Sequence, residues 1–239
     1  MSLPMLLLIE TAGKVCSCAL SLNSKIIAYQ ESTVSNAHSQ CLLPMIDKLF
    51  KQSGYDLSQL SAVATSKGPG SYTGLRIGTS TAKGICYALN KPLIAVDTLS
   101  ILAFAARKLY YNTSLHSKSI LYLPMLDARR LEVYSAIYDG DFNMVKPVSA
   151  DVIEPNIYDN FLKKCDIMLV CGDGAAKCRT VFNNDKYLFA EEINLSAKDM
   201  VVFAEDKFKA LQYEDVAYFE PYYLKDFVAA PSKVKGLYN

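Results

Sequence analysis

Met5-Leu6-Leu7-Leu8-Ile9-Glu10 is an unbroken apolar run closed by an acid, and the chain repeats this later with Leu121-Tyr122-Leu123-Pro124-Met125-Leu126-Asp127. Glu10 and Asp127 lie 117 residues apart, and at the same offset Ala19 meets Ala136, Leu20 meets Ile137, and the turn residue Asn23 meets Gly140. No gap is needed between residues 10 and 23. Around the first run, β-type alternation predicts strands ending at 9 and over 15–22 and 25–29, with a turn at Asn23-Ser24. The stripe Cys41, Leu42, Met45, Ile46, Leu49 and Phe50, closed by Gly54, predicts a helix. Pro44 lies within it, so the helix is expected either to begin shortly before that residue or to kink there. A strand over 62–65, a glycine-rich loop, a helix over 73–89, a strand over 93–96 and a helix over 98–109 complete the first half. In the second half the pattern predicts a helix over 156–165, a strand over 167–171 and a turn at Gly172-Asp173-Gly174. A helix over 197–211 follows, with Ser196 and Asp199 as a capping box and Met200, Ala204, Phe208 and Leu211 as its apolar stripe.

A duplicated β-β-β-α-β-α unit is the layout of the α/β actin-like (ASKHA, ribonuclease-H-like) fold. The lobes are expected at 1–109 and 110–239, with the polar stretch 110–119, which holds His116, as the hinge.

Composition narrows the function classes. The chain has 239 residues, half of them apolar and a fifth charged, as a folded globular protein requires. Net charge is +1, so the surface as a whole is not built for nucleic acid; a local patch or a partner must supply any RNA contact. The apolar run at 5–9 is too short for a signal-peptide core or a membrane span, which leads to an expectation of a cytoplasmic protein with no membrane partner. Seven cysteines, an odd number set in apolar runs, are expected to be reduced core thiols, and no second Cys/His pair completes a zinc site around Cys16 and Cys18.

The strongest local signal is Gly68-Pro69-Gly70-Ser71-Tyr72-Thr73-Gly74-Leu75-Arg76, placed between a strand and a helix. Its glycines permit positive φ and close backbone approach, and the helix start offers amide N–H groups for a phosphate or carboxylate. It is not a Walker loop, because no Gly-Lys-Ser/Thr ends it. A tight strand-to-helix turn explains the spacing equally well.

This stretch resembles the GPGSFTGLRIG signature of the TsaB (YeaZ) family, with Tyr72 in place of Phe. Other matches run in the same order along the chain. His38-Ser39-Gln40-x-Leu42-Leu43-Pro44 is similar to that family's HSExLLP, and Lys83-Gly84 followed by Lys91-Pro92-Leu93 matches its helix and strand. Asp127-Ala128-Arg129-Arg130-x-Glu132-Val133-Tyr134 resembles DARRxEVY, and Pro221-Tyr222-Tyr223-Leu224 matches PxYL. The resemblance implies a subunit of the machinery that makes threonylcarbamoyladenosine in tRNA, paralogous to the catalytic subunit TsaD. It also implies the loss of TsaD's His-x-x-x-His metal pair, since the corresponding positions here are Thr98 and Leu102, neither able to replace imidazole. No catalytic residue, metal or cofactor is therefore expected.

Glu10 and Asp127, with Arg129, are expected either as a vestigial phosphate site or as acids in strand-end hydrogen bonds; Thr11-Ala12 and Ala128-Arg129 replace the glycines that a phosphate would need. His38 suits acid–base work in principle, but spacing sets no nucleophile beside it, and a helix-start or interface hydrogen bond is expected. The Arg129-Arg130 pair suits phosphate, a partner's carboxylates, or plain exposure. Lys225, Lys233 and Lys235 make a small basic tail. On the second helix Gly74, Gly78 and Ala82 recur every four residues, with Ile85, Cys86 and Leu89 beyond, a face that lets another backbone approach closely. With His38, Cys41, Leu42 and Met45 of the first helix, the residues Gly74, Gly78, Ala82, Ile85 and Leu89 are expected to meet a partner.

Together these features lead to a non-catalytic scaffold that binds TsaD and supports threonylcarbamoyl transfer to the adenosine beside the anticodon. By resemblance the ATPase TsaE joins the complex; the same apolar face offers a symmetric homodimer as the alternative to a monomer when the chain is alone, and tRNA is expected to be met indirectly. The enzyme-class alternatives are a metallopeptidase of the glycoprotease type and a stand-alone ATPase or kinase of the same fold.

Overall fold

In the computed structural model, residues 3–34, 37–110, 118–190 and 192–225 are described; most of the expected hinge, His116, Lys233 and Lys235 lie outside them. The first lobe runs β1 (Met5–Glu10), β2 (Cys16–Leu22), β3 (Lys25–Ser32), α1 (His38–Ser53), β4 (Ala62–Gly68), α2 (Tyr72–Leu89), β5 (Leu93–Asp97) and α3 (Thr98–Tyr110). The second runs β6 (Ile120–Asp127), β7 (Glu132–Tyr138), β8 (Met144–Val152), α4 (Asp159–Leu162), β9 (Ile167–Cys171), β10 (Tyr187–Ala190) and α5 (Val201–Lys209). The two five-stranded sheets share one topology, β3-β2-β1-β4-β5 and β8-β7-β6-β9-β10. In each, the first three strands pair antiparallel and the remaining two add in parallel. This is the duplicated α/β, actin-like architecture that the repeat predicts.

Five layers result. The outer face of the first sheet buries Leu7, Ile9, Cys18 and Leu20 against Leu42, Ile46, Leu49 and Phe50 of α1 and Ala82 and Cys86 of α2. Its inner face (Leu6, Leu8, Ala19) joins a central core with α3, α5 and the inner face of the second sheet. The second sheet's outer face packs on Tyr158, Leu162, Ala175 and Cys178. Each large apolar side chain so buried is worth about 1.5–3 kcal/mol over exposure. Six of the seven cysteines are buried, Cys41 is partly exposed, and all are free thiols.

The repeat carries one shift that the sequence match hides. Leu6 and Leu8 of β1 face inward, and in β6 the inward residues are Tyr122 and Leu126, while Leu123 and Met125 face outward. Glu10 pairs with Ser17 in the first lobe, and Leu126 pairs with Tyr134 in the second. The counterpart of Glu10 is therefore Leu126, with one extra residue in the β6–β7 connection. The equivalences Ala19/Ala136 and Leu20/Ile137 stand, but Glu10/Asp127 does not, because a one-residue slip moves a strand side chain to the opposite face.

Other expectations need correction. Pro44 neither starts nor ends α1, which begins six residues earlier; it lies on the exposed side, where water can serve the carbonyl that it leaves without a partner. The helix predicted over 156–165 shrinks to Asp159–Leu162, since the Asp166 amide already bonds the Ser119 carbonyl and leads into β9. Strand β10 is an element that the residue pattern does not announce. The predicted 197–211 helix splits into a 3-10 turn, Ala197–Met200, and α5. No capping box forms: the Ser196 hydroxyl lies 2.8 Å from the Tyr29 hydroxyl, and Asp199 pairs with Lys108 at 3.4 Å.

After β10 the chain returns to the first lobe. The Ala197 amide bonds Ser17 Oγ at 2.9 Å, the amide and hydroxyl of Ser24 donate to buried Glu205, and Lys207 Nζ donates to the Ala95 carbonyl at 2.7 Å. The Glu214 amide then bonds the Leu93 carbonyl, and the Tyr222 amide bonds the Lys67 carbonyl at 2.6 Å. Residues 193–225 thereby hold the first sheet and the signature loop in one body.

Candidate functional site

The signature loop is held by close approach on two sides. Gly68 has φ +113°, and a Cβ there would stand 2.5 Å from the Tyr222 carbonyl oxygen. Its amide donates to Thr98 Oγ1 at 3.0 Å. The peptide between Gly68 and Pro69 is cis. A Cβ on Gly70 would meet Ala12 at 2.7 Å, and the Ser71 amide bonds the Ala12 carbonyl at 2.8 Å. Ser71 caps α2 by accepting from the Gly74 amide at 3.2 Å, and its own carbonyl takes the Leu75 amide. The amides of Ser71, Gly74 and Leu75 are therefore committed within the loop. Outside it, Tyr72 leans on Tyr223 with ring centroids 4.9 Å apart, and the Arg76 guanidinium lies 4.7 Å from the Tyr72 ring centre. Thr73 is exposed.

The small stripe on α2 belongs to the lobe's own core. A Cβ on Gly74 would collide with the Thr11 carbonyl, and one on Gly78 with the Thr11 hydroxyl, while Ala82 is buried among the outer-face core. The expectation that these three meet a partner is overturned: α2 approaches the end of β1 too closely for larger side chains. Leu42 and Met45 are likewise buried, Cys41, Ile85 and Leu89 pack partly against the same core, and His38 Nε2 donates to the Gly13 carbonyl at 3.2 Å. The exposed apolar side chains on these helices are instead Leu43 (59% exposed) and Tyr87 (86%). Tyr87 borders an open groove of about 620 Å3 with Lys83, Gly84, Asp215, Val216 and Ala217. The sequence signal for both was available, since Leu43 and Tyr87 are apolar residues that lie off the buried stripes.

Between the lobes the chain fills its own cleft. Leu102, Leu126 and Leu195 converge there with Gly13, Lys14, Asp173 and Asn194, leaving about 10 Å3, room for about one water. Leu102 presses on Gly172, and its carbonyl accepts a weak bond from Cys171 Sγ at 3.9 Å. Thr98, accepting from the Gly68 amide, is fully buried. Both positions where the catalytic paralogue's histidines are implied are thus occupied by residues that build the fold.

Glu10 and Asp127 are not brought together. Glu10 is fully buried; its Oε1 accepts from the Ala12 amide at 2.7 Å and Ser66 Oγ at 3.0 Å, and its Oε2 has no partner among the described residues. Burial pushes its carboxyl up to about 7, against hydrogen bonds from Ala12, Ser66 and Thr11. Asp127 is exposed and bonded to Lys177 Nζ at 2.6 Å and the Arg129 amide at 2.8 Å. Its partial burial alone would raise its carboxyl, but these bonds hold it below the usual carboxylate range. Arg129 and Arg130 are consecutive residues in the left-handed region, with φ +70° and +51°. For residues other than glycine that conformation costs on the order of 1–2 kcal/mol each. Lys177 holds the turn by donating also to the carbonyls of Arg130 and Glu132.

The chain as a whole is similar to known proteins. The family model described as TsaD, tRNA N6-adenosine threonylcarbamoyltransferase, matches residues 24–232. The tRNA threonylcarbamoyladenosine biosynthesis protein TsaB of Escherichia coli is 30% identical, covering 94% of this chain and 96% of its own. The protein of that name from Bacillus subtilis is 31% identical over 61% of this chain and 60% of its own. The solved structure of YeaZ from Pseudomonas aeruginosa is 25% identical with a TM-score of 0.77, covering 94% of this chain and all of that one. The chain belongs to the TsaB (YeaZ) family.

Proposed function

We propose that this protein acts in the biosynthesis of tRNA threonylcarbamoyladenosine as the non-catalytic partner of a TsaD homologue. The observation that carries the reading is the filled cleft. An actin-like enzyme uses the space between its lobes for its ligand, and ligand sites run to about 300–1,000 Å3; here Leu102, Leu126 and Leu195 leave about 10 Å3. The same filling speaks against a stand-alone ATPase or kinase, and Thr98 and Leu102 offer no metal ligand for a peptidase. A chain that keeps the paired lobes but fills the cleft is suited to binding its paralogue and supporting it.

The proposed contact is the outer face of α1 and α2. Its buried stripes fix the two helices on the first sheet, and Leu43 and Tyr87 stand out from them as apolar anchors. The chain pairs with TsaD through this face, TsaE joins that assembly, and in the absence of TsaD a second copy of the chain takes the same face. Size-exclusion chromatography of this chain with the TsaD homologue of its own organism tests the reading. A one-to-one complex that Leu43→Glu and Tyr87→Glu both weaken supports it; separate elution at micromolar concentrations refutes it.

A further inference from the structure

The β6–β7 turn carries a charge excess that neither the fold nor the proposed partner contact uses. Among the described residues three acids lie around it, and each is already matched by a lysine: Asp127 by Lys177 at 2.6 Å, Asp173 by Lys14 at 3.6 Å, and Glu132 by Lys225. Arg129 and Arg130 are left over, both exposed, with no side-chain partner for either guanidinium among the described residues. The backbone under them is built rather than loose. The Arg129 amide bonds Asp127, the Glu132 amide bonds the Arg129 carbonyl, the Ala128 amide bonds the Glu132 carbonyl, and the Ile153 amide bonds the Leu131 carbonyl. Both arginines stand at positive φ, where glycine would sit without strain. A strained, well-bonded turn that holds two exposed guanidiniums side by side in sequence suits a fixed anionic ligand.

We infer that Arg129 and Arg130 contact phosphates of the RNA backbone. This rests on the proposed role in tRNA modification and makes the RNA contact partly direct, where a net charge of +1 alone points to a partner. The guanidinium fork matches a phosphate's oxygens two at a time, with charge on both sides. RNA is favoured over a protein's carboxylates because the turn joins β6 and β7 of the second lobe, while the proposed partner anchors Leu43 and Tyr87 belong to α1 and α2 of the first. The contact positions the RNA and reads no base.

The test measures binding of unmodified tRNA by fluorescence anisotropy between 50 and 200 mM salt, for this chain in complex with TsaD and for the chain alone. The wild type is compared with the double variants Arg129→Gly/Arg130→Gly and Arg129→Lys/Arg130→Lys. Glycine keeps the backbone shape, so the first variant is expected to fold. Affinity at 100 mM salt should fall on the order of tenfold per arginine, and the slope of log affinity against log salt should flatten by about one for each phosphate that is no longer neutralised. The lysine variant should recover most of the slope and only part of the affinity. Inorganic phosphate and ATP, titrated as separate probes, should show no dependence on the pair. Unchanged tRNA affinity and slope in the glycine variant would overturn the inference, as would a loss confined to free phosphate or ATP. Loss of TsaD binding in place of tRNA binding would assign the pair to a protein contact and also overturn it. If the wild-type chain fails to bind TsaD at all, the partner reading fails, and the arginines are still judged on the chain alone.

Discussion

The hydroxyl of Thr11 donates to the carbonyl of Gly74 at 2.8 Å, across 63 residues of sequence. That bond joins the end of β1 to the start of α2, and it forms because Gly74 has no side chain to hold the helix away. Family-like glycines at this point thus serve the closure of the lobe. Gly84, further along the same helix, has nothing within 4 Å of where a Cβ would stand.

The two glycines should therefore respond in opposite ways. Gly74→Ala forces a methyl onto the Thr11 backbone and is expected to lower stability by about 1–3 kcal/mol. Gly84→Ala is expected to raise it by about 0.5–1 kcal/mol, since alanine favours the helix and meets no obstacle. Urea titrations of the two variants beside the wild type give both numbers. Equal effects would show that α2 is not seated on Thr11 as described.

Glu10 should make the protein less stable as pH rises. Its carboxyl titrates near 7 in the folded protein against an ordinary 4.5, so between those values the folded state holds a proton that the unfolded chain has released. Stability falls through that window and levels off above it, for a total of about 3 kcal/mol. Glu10→Gln removes the effect. Relative to wild type, the variant should gain about 2–3 kcal/mol on going from about pH 5 to about pH 8, measured by denaturant unfolding. A constant difference across that range would mean that Glu10 is ionised throughout.

A second, partly buried carboxylate should behave in the opposite sense. Burial raises the Asp151 carboxyl, but bonds from Ser135, Lys146, Tyr158 and Ser149 outweigh it and hold the group below the usual carboxylate range. Its stabilising effect is full above about pH 4 and is lost as pH falls through the folded value. Lys146, 2.9 Å away and little exposed, supplies the only opposite charge in this cluster among the described residues. Lys146→Met should cost about 3 kcal/mol at about pH 7, because it leaves Asp151 charged and enclosed, and the loss should shrink toward about pH 3. Circular-dichroism melts at the two pH values decide it.

Much of the architecture was legible from residue pattern alone. The apolar runs at 5–9 and 121–126 and the α1 stripe each fixed an element, because burial on both faces or on one stripe leaves a clear period. The repeat was legible too, but its frame was not. An ungapped match cannot register the one-residue difference in the β6–β7 connection, and so it placed Asp127 opposite Glu10, when the strand faces place Leu126 there. The glycine stripe misled for a related reason: sequence shows that something comes close to Gly74 and Gly78, but not that the neighbour is Thr11 of the same lobe. The positive φ of Arg129 and Arg130 had no sequence signal, since arginine is not a residue that announces the left-handed region.

A chain that supports a TsaD homologue without performing the transfer itself must be needed for modification and yet be unable to carry it out alone. The deciding experiment follows threonylcarbamoyladenosine formed on unmodified tRNA, read by mass spectrometry of the digested nucleosides, with threonine, bicarbonate, ATP, the adenylate-forming enzyme, TsaD and TsaE supplied. The modified nucleoside should appear when this chain and TsaD are both present, vanish when either is left out, and fall with Leu43→Glu or Tyr87→Glu in step with the loss of complex. Modification by this chain without TsaD, or undiminished modification by TsaD without this chain, would contradict the proposed role.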